Sequence, residues 1–412
     1  MTPVQAPEST VRTAPATRAK ESDQDTLIER ARELAPLIRE HAQDMERHRR
    51  IARPVLDALF AAGFQGLFAP RSLGGLEVDP LTALRVVEEV ARADSAAAWA
   101  LQSGNVNAWW ASRLPQQAID EIYNGNANGV LVGAAFHPPQ RAIEVDGGYQ
   151  VSGRAPLASM IQDARWMIFS AFIMDGGQPR MTPFGPAMVG VVMRRSELEV
   201  IDTWHTLGMR GTDSNDAAFN AVFVPAYRTF AVVPEYERGS HFQGPLYRFP
   251  AVPIIALFSV AVLLASARNA IDAFREMSQK KVPMGSMKSL RDRGVVQAGV
   301  AEAIALVGAA RAWYADVLAA SWERTLAGKS HSLEHRAELL IAGVHAARSA
   351  TAAVDIVHRL AGTTGIYASS PLERAFRDTH TLQNHGFVSE SKAESAGQVY
   401  LGLPPDFPLL HF

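Results

Sequence analysis

Between Ala251 and Ala267 the chain reads AVPIIALFSVAVLLASA, without a single charge. A helix apolar on every side can lie only in the middle of a bundle or in a bilayer. A membrane span needs roughly 20 apolar residues. This run is shorter, carries Pro253, and reads as having no companion segment elsewhere. It is therefore read as the central helix of a bundle, with no membrane involved. The 412 residues, 48% hydrophobic and 20% charged, are enough for two or three domains or one large multilayer unit around such a helix. A net charge of −2 gives no field to attract nucleic acid or anionic lipid. With no cysteine, disulfides, thiol catalysis and Cys-ligated metals are excluded. The first 23 residues are rich in Pro, Ala, Thr and Ser and lack the apolar stretch of a secretory signal. They read as a disordered tail, and the protein as cytoplasmic.

The hydrophobic period changes twice along the chain. Leu27, Ile28, Ala31, Leu34, Leu37 and Ile38 recur at helical spacing. Further helices are expected over 54–62, from Pro80 behind an Asp79 cap, from Asp94 or Ser95 through Trp99 and Asn107, and from Pro115. From Ala127 the segments become short and alternating, with Asp146-Gly147-Gly148 as a hairpin turn. From Ala251 long helical segments return. The expected architecture is α+β and multidomain. A helical domain covers 24–126, a central antiparallel β-barrel or sandwich 127–235, and a C-terminal four-helix bundle 245–412. HSLEH, with His331, Glu334 and His335, lacks the H-E-x-x-H order of a zinc site, so no metal is expected.

Near the C-terminus stands GTTGIYASSPLERAFRDTHTLQNH, Gly362 to His385. A glycine turn next to arginines can bind phosphate, and a histidine can move protons near neutral pH. Three other motifs accompany it: AIEVDGGYQVSGR from Ala142, WHTLGMRGTDSNDAAFNAVFVP from Trp204, and KVPMGSMKSLRDRGVVQAGVAEA from Lys281. These four, in this order, resemble the acyl-CoA dehydrogenase fold over almost the whole chain.

The resemblance implies one of two chemistries. Dehydrogenases need a carboxylate to remove an α-proton. Their usual position, nine residues after Arg377, holds Gly386, and no Asp or Glu occurs from Phe249 to Ala270. One residue earlier stands His385, where the related two-component monooxygenases, similar to 4-hydroxyphenylacetate and dibenzothiophene oxygenases, carry a catalytic histidine. That branch takes reduced FMN or FAD from a separate reductase. With O2 it forms a flavin C4a-hydroperoxide that oxygenates a phenol- or indole-like aromatic or a heteroatom.

By the same resemblance, Ser159 stands near flavin N5, although the glycine usual after it is Met160 here. Trp99, Phe136, Met160 and Leu157 wall a dry substrate pocket. Asn107 replaces a histidine of several relatives and can only hydrogen-bond. Arg210 and Thr212 offer donors to the flavin. Lys281 and Gln297, with Gly362, Thr363 and Gly365 of a neighbouring subunit, meet its phosphate end in a homotetramer. The alternatives are an acyl-CoA dehydrogenase with its carboxylate elsewhere, and a non-catalytic flavin-binding relative.

Overall fold

A computed structural model describes residues 21–182 and 185–412. The expected tail lies outside the described residues up to residue 20, and its last three residues already belong to a helix. Helix α1 (Glu21–Glu33) and helix α2 (Ala35–His48) replace the single helix read from the pattern. The break falls at Leu34, just before Pro36, whose missing N–H is tolerated only in a first turn. Helices α3 (Arg53–Ala61), α4 (Pro80–Ala91), α5 (Ser95–Ala111) and α6 (Gln116–Tyr123) follow. Asp79 caps α4 by accepting from the N–H groups of Leu81 and Thr82, and Asp94 caps α5 through that of Ala97. Helix α5 is buried along nearly its whole length, because it packs on both the β domain and the bundle.

The β domain holds β1 (Val132–Val145), β2 (Gly148–Ala155), β3 (Trp166–Asp175), β4 (Gln178–Pro179), β5 (Met181–Thr182), β6 (Gly185–Pro186), β7 (Met188–Arg194), β8 (Glu199–Ile201), β9 (Asp216–Pro225) and β10 (Thr229–Ala231). The main sheet runs β10-β7-β3-β1-β2-β9-β8, with β4 paired to β3. It is not wholly antiparallel, as expected from the sequence: β1 and β3 are parallel neighbours. The hairpin places β2 on one side of β1. Residues 156–165 then cross to the other side, so β3 must run in the direction of β1. That crossover carries Ser159. Strand β1 is interrupted by a register shift between Ala135 and Gln140 and by a cis His137–Pro138 bond. Prolines there cannot donate to the ladder.

The bundle comprises α7 (Ala251–Lys280), α8 (Gly294–Leu326), α9 (Leu333–Ala361), α10 (Pro371–Leu382) and α11 (Ser391–Tyr400). The most apolar window of α7 is 94% buried inside the protein. Helices α8 and α9 are also long and apolar enough for a span, contrary to the reading that α7 had no companion. Only 22% of the corresponding window of α8 is buried, and Val295, Ile304 and Trp313 stand exposed on it.

Candidate active site

Four elements bring the site together. Trp99 projects from α5, Ser159 from the β2–β3 crossover, Thr212 and Ser214 from the loop before β9, and His385 from the turn after α10. The indole Nε1–H of Trp99 donates to Ser159 Oγ at 3.1 Å. Ser159 Oγ lies 2.8 Å from Ser214 Oγ, and Ser214 Oγ lies 2.7 Å from Thr212 Oγ1. The rings of Trp99 and His385 meet edge to face with centroids 5.0 Å apart. Phe387 stacks on the imidazole with centroids 5.8 Å apart.

The two loops hold each other by backbone bonds. The N–H groups of Ala158 and Met160 donate to the carbonyls of Asn215 and Thr212, at 3.0 and 2.9 Å. Asp213 accepts from the backbone and side chain of Gln162 at 2.8 and 2.7 Å. Met160 has φ 61°, the left-handed region that glycine enters freely and methionine does not. The departure from glycine therefore leaves the backbone path in place and adds local strain.

His385 is held from below by α7. Its Nδ1 lies 3.2 Å from Ser259 Oγ, and Ser259 has no accessible surface. Nε2 has no hydrogen bond among the described residues. Burial in this aromatic and aliphatic setting pushes the imidazole down to about 4. The ring is neutral at physiological pH, a base rather than a cation. Ser259 was not among the residues expected at the site. Its signal was present but weak: it and Ser266 are the sole polar side chains in the charge-free run. Replacing Ser259 by alanine should lower product formation roughly 3- to 10-fold, the worth of one hydrogen bond. Flavin affinity should stay within about twofold. Unchanged turnover in steady-state assays would show that His385 needs no such support.

A web of charges fixes α10 against this centre. Arg374 lies 2.5 Å from Asp94 and 3.6 Å from Asp378, and Arg377 lies 2.6 Å from Glu46. Asp378 accepts from the N–H of Met209 at 2.6 Å, and Met209 begins the turn that carries Thr212. Burial pushes Asp378 up to about 6 despite Arg374, and raises Asp94 as well. Gly208 lies so close to α10 that a Cβ there would stand 2.3 Å from the Arg377 carbonyl.

The other expected residues fall into three groups. Asn107, on α5, is buried and donates to the carbonyls of Ser103 and Val132 at 2.7 and 2.6 Å, while its Oδ1 has no partner. Phe136 packs on Trp110 at 4.9 Å. Met160, expected to wall the substrate, has no accessible surface, whereas its neighbour Leu157 is 61% exposed. Arg210 does not join Thr212 at the hydroxyls: it donates to the Thr206 carbonyl and lies 3.5 Å from Glu46. Together with Arg374, Arg377 and Ser369 it lines a separate cavity of about 940 Å³.

Lys281 donates to the carbonyl of Ala361 and to Thr364 Oγ1, both at 2.5 Å, and so meets the turn holding Gly362, Thr363 and Gly365. Gln297 is exposed at the start of α8 and donates to the Arg291 carbonyl. This cluster is far from His385. From Ser259 to Lys281, α7 extends about 33 Å at about 1.5 Å per residue.

The residues fit a flavin. Ser159 can hydrogen-bond a ring nitrogen, exposed Leu157 offers an apolar surface beside it, and a Cβ built on Gly386 meets nothing within 4 Å. Sequence comparison agrees with this arrangement. The profile "Acyl-CoA dehydrogenase, N-terminal domain" matches residues 21–113, and "Acyl-CoA dehydrogenase, C-terminal domain" matches 257–390. Indole-3-acetate monooxygenase of Pseudomonas putida is 30% identical over 405 residues, covering 97% of this chain and 97% of that protein. The oxygenase subunit HsaA of Rhodococcus jostii is 27% identical, over 89% of this chain and 95% of its own length. Among solved structures, 3-HSA hydroxylase from Rhodococcus sp. RHA1 superposes with a TM-score of 0.84 at 25% identity, over 93% of this chain and 98% of that one. XiaF from Streptomyces sp., solved with FADH2 and glycerol, shares the fold with a TM-score of 0.87 at 24% identity, over 94% of this chain and 98% of that one. The chain belongs to the flavin-dependent monooxygenases of the acyl-CoA dehydrogenase fold, and its flavin is used in the reduced state.

Proposed function

We propose that this oxygenase hydroxylates a small aromatic substrate of indole or phenol type, with His385 as the base. The observation that carries the reading is the neutral imidazole between Trp99 and Phe387, its Nε2 free. Reduced flavin, supplied by a separate reductase, and O2 deliver one oxygen atom to the substrate and one to water. The chain's own part is to bind, to keep water out and to move a proton. Trp99 and Phe387 offer aromatic surfaces to a flat ring. His385 Nε2 takes the proton that the aromatic N–H, O–H or ring carbon gives up as oxygen arrives. Ser159 holds flavin N5, and buried Asn107 ties α5 to β1 through the Val132 carbonyl behind the pocket. Two relatives named indole-3-acetate monooxygenase and one named resorcinol hydroxylase support this substrate class. A dehydrogenase reading has no carboxylate to work with at Gly386 or on α7 between Phe249 and Ala270.

The same reading needs more than one subunit. FMN or FAD cannot span from Ser159 to Lys281 of one chain if Lys281 lies about 33 Å of helix away from Ser259. A neighbouring copy would bring its own Lys281, Gln297 and Gly362–Gly365 turn to the phosphate end. The uncovered apolar face of α8 is where copies would meet, as a homotetramer. We place the reaction in the cytoplasm, beside the reductase.

The test mixes the protein anaerobically with reduced FMN or FAD, then adds O2 and a panel of indoles and phenols. Hydroxylated product with at least one of them is the expected result. Ser159→Ala should divert most of the O2 to free hydrogen peroxide. Bleaching of tightly bound oxidised flavin by an acyl-CoA, with no hydroxylation, would overturn the proposal.

A further inference from the structure

We infer that the segment after α11, residues 403–412, folds back as a clasp that sets the ring of His385, with Phe407 as a positioning residue acting through Phe387. The inference rests on the reading of His385 as the base.

Beside the main core lies a second, small cluster of buried apolar side chains: Val252, Ala337, Leu340, Ala396, Val399 and Leu410. It is assembled from α7, α9, α11 and this segment. Phe387 packs against both clusters, and Phe407 against the small one. The segment is tied to three helices. The Leu410 side chain has no accessible surface, and its carbonyl accepts from Arg336 Nη1 of α9 at 3.1 Å. The Phe412 carbonyl accepts from the N–H of Ala251, the first residue of α7, at 3.4 Å. Asp406 accepts from Ser395 Oγ and donates its N–H to Gln398 Oε1 at 2.9 Å, both on α11.

The ring that this anchored segment presents is Phe407. It meets Phe387 edge to face with centroids 5.6 Å apart, and Lys392 Nζ lies over it at 4.2 Å. Phe387 in turn stacks on His385, and His385 meets Trp99. Trp99, His385, Phe387 and Phe407 thus form one row of touching rings. Such contacts fix relative ring orientation as well as burying area. The segment also abuts the first turn of α7, about two turns before Ser259, the hydrogen-bond partner of the imidazole. Both supports of His385 are therefore braced from the same place.

The elements packed on His385 bring Trp99, Ser259 and Phe387 to it, none of them charged. Farther along the row, Lys392 lies on Phe407 and Glu390 is held by Arg348 at 2.7 Å. Burial alone holds the imidazole down, so thinning its cover should release it.

The test compares the wild type with Phe407→Ala, Phe407→Leu and His385→Ala. One readout is product and hydrogen peroxide per reduced FMN consumed, with O2 and indole. The other is the imidazole titration by NMR on isotope-labelled histidine, the His385 signal being the one lost in His385→Ala. This titration needs no substrate. In Phe407→Ala, product should fall roughly tenfold, within the about 10²-fold that a misplacement of about 1 Å can cost. Peroxide should make up the difference, and the KM for reduced FMN should stay within about twofold. The titration should move from about 4 toward 6.5. Phe407→Leu keeps an apolar cover and should keep most of the coupling. If Phe407→Ala fails to fold, Leu410→Ala, which loosens the anchor and leaves the ring, should show the same shifts more weakly. Full product formation by His385→Ala would remove the base, and the clasp with it. If His385→Ala loses product while the titration in Phe407→Ala stays near 4, the clasp alone is overturned, whatever the yield.

Discussion

His385→Ala should lower product formation by about 10²- to 10⁴-fold, the usual worth of a positioned general base. Reduced-flavin affinity should change little, since the hydrogen bond of the imidazole goes to Ser259 and none runs from it to Ser159, Thr212 or Ser214 among the described residues. Oxygen consumption should continue and end in hydrogen peroxide. The pH profile gives an independent check. Because the folded imidazole titrates at about 4 rather than near 6.5, it stays unprotonated throughout the neutral range. Product formation should therefore stay flat, as far as this group is concerned, until pH falls toward 4. The same shift affects stability. Between pH 4 and 6.5 the unfolded chain holds a proton that the folded chain lacks, so this contribution is complete above 6.5 and is lost as pH falls through that window. A product yield that halves near pH 6.5 and follows His385 would contradict the assignment.

Arg374→Met should be the most destabilising single change, by about 3–5 kcal/mol, as expected when one member of a buried charge cluster is removed. Arg374 is the cation shared by Asp94 and Asp378, both almost without accessible surface. The loss should be largest at neutral pH. Both acids already sit above their ordinary range, Asp378 at about 6, so the folded state holds protons that the unfolded state has released. Stability from these two groups is greatest at low pH and declines as pH rises, for Asp378 between about 4 and 6. Without the guanidinium their folded values rise further, and the variant should approach the wild type as the buffer is acidified. Denaturant melts at pH 5 and pH 7.5 would read this. An equal deficit at both would mean that Arg374 acts through packing alone.

The helical and β regions were legible because their periods differ and their caps are ordinary: Asp79 and Asp94 both accept from the N–H groups their positions suggested. The parallel neighbours β1 and β3 were not legible, since strand direction is set by where a crossover lands and not by the residues in the strand. That His385 and Trp99 share one cavity was legible only as far as their shared resemblance went, and the structure sets the two rings together. Ser259 was not legible, because a serine in an apolar helix has the same appearance whether it holds a ligand or nothing. Arg210 and Thr212 part company for a related reason. A basic residue next to Thr212 suggests a shared target, but the left-handed turns at Met209 and Asp213 send the two side chains apart, one to Glu46 and one to Ser214.

The segment from 156 to 165 joins β2 and β3, which lie on opposite flanks of β1 and run in opposite directions. Its span is therefore dictated by the spacing of the sheet, like a footbridge cut to the width of a stream. An extra residue inserted there would have to bulge out at Ser159 or pull one flank out of alignment. Length, more than composition, is what evolution or an engineer must leave untouched at this place.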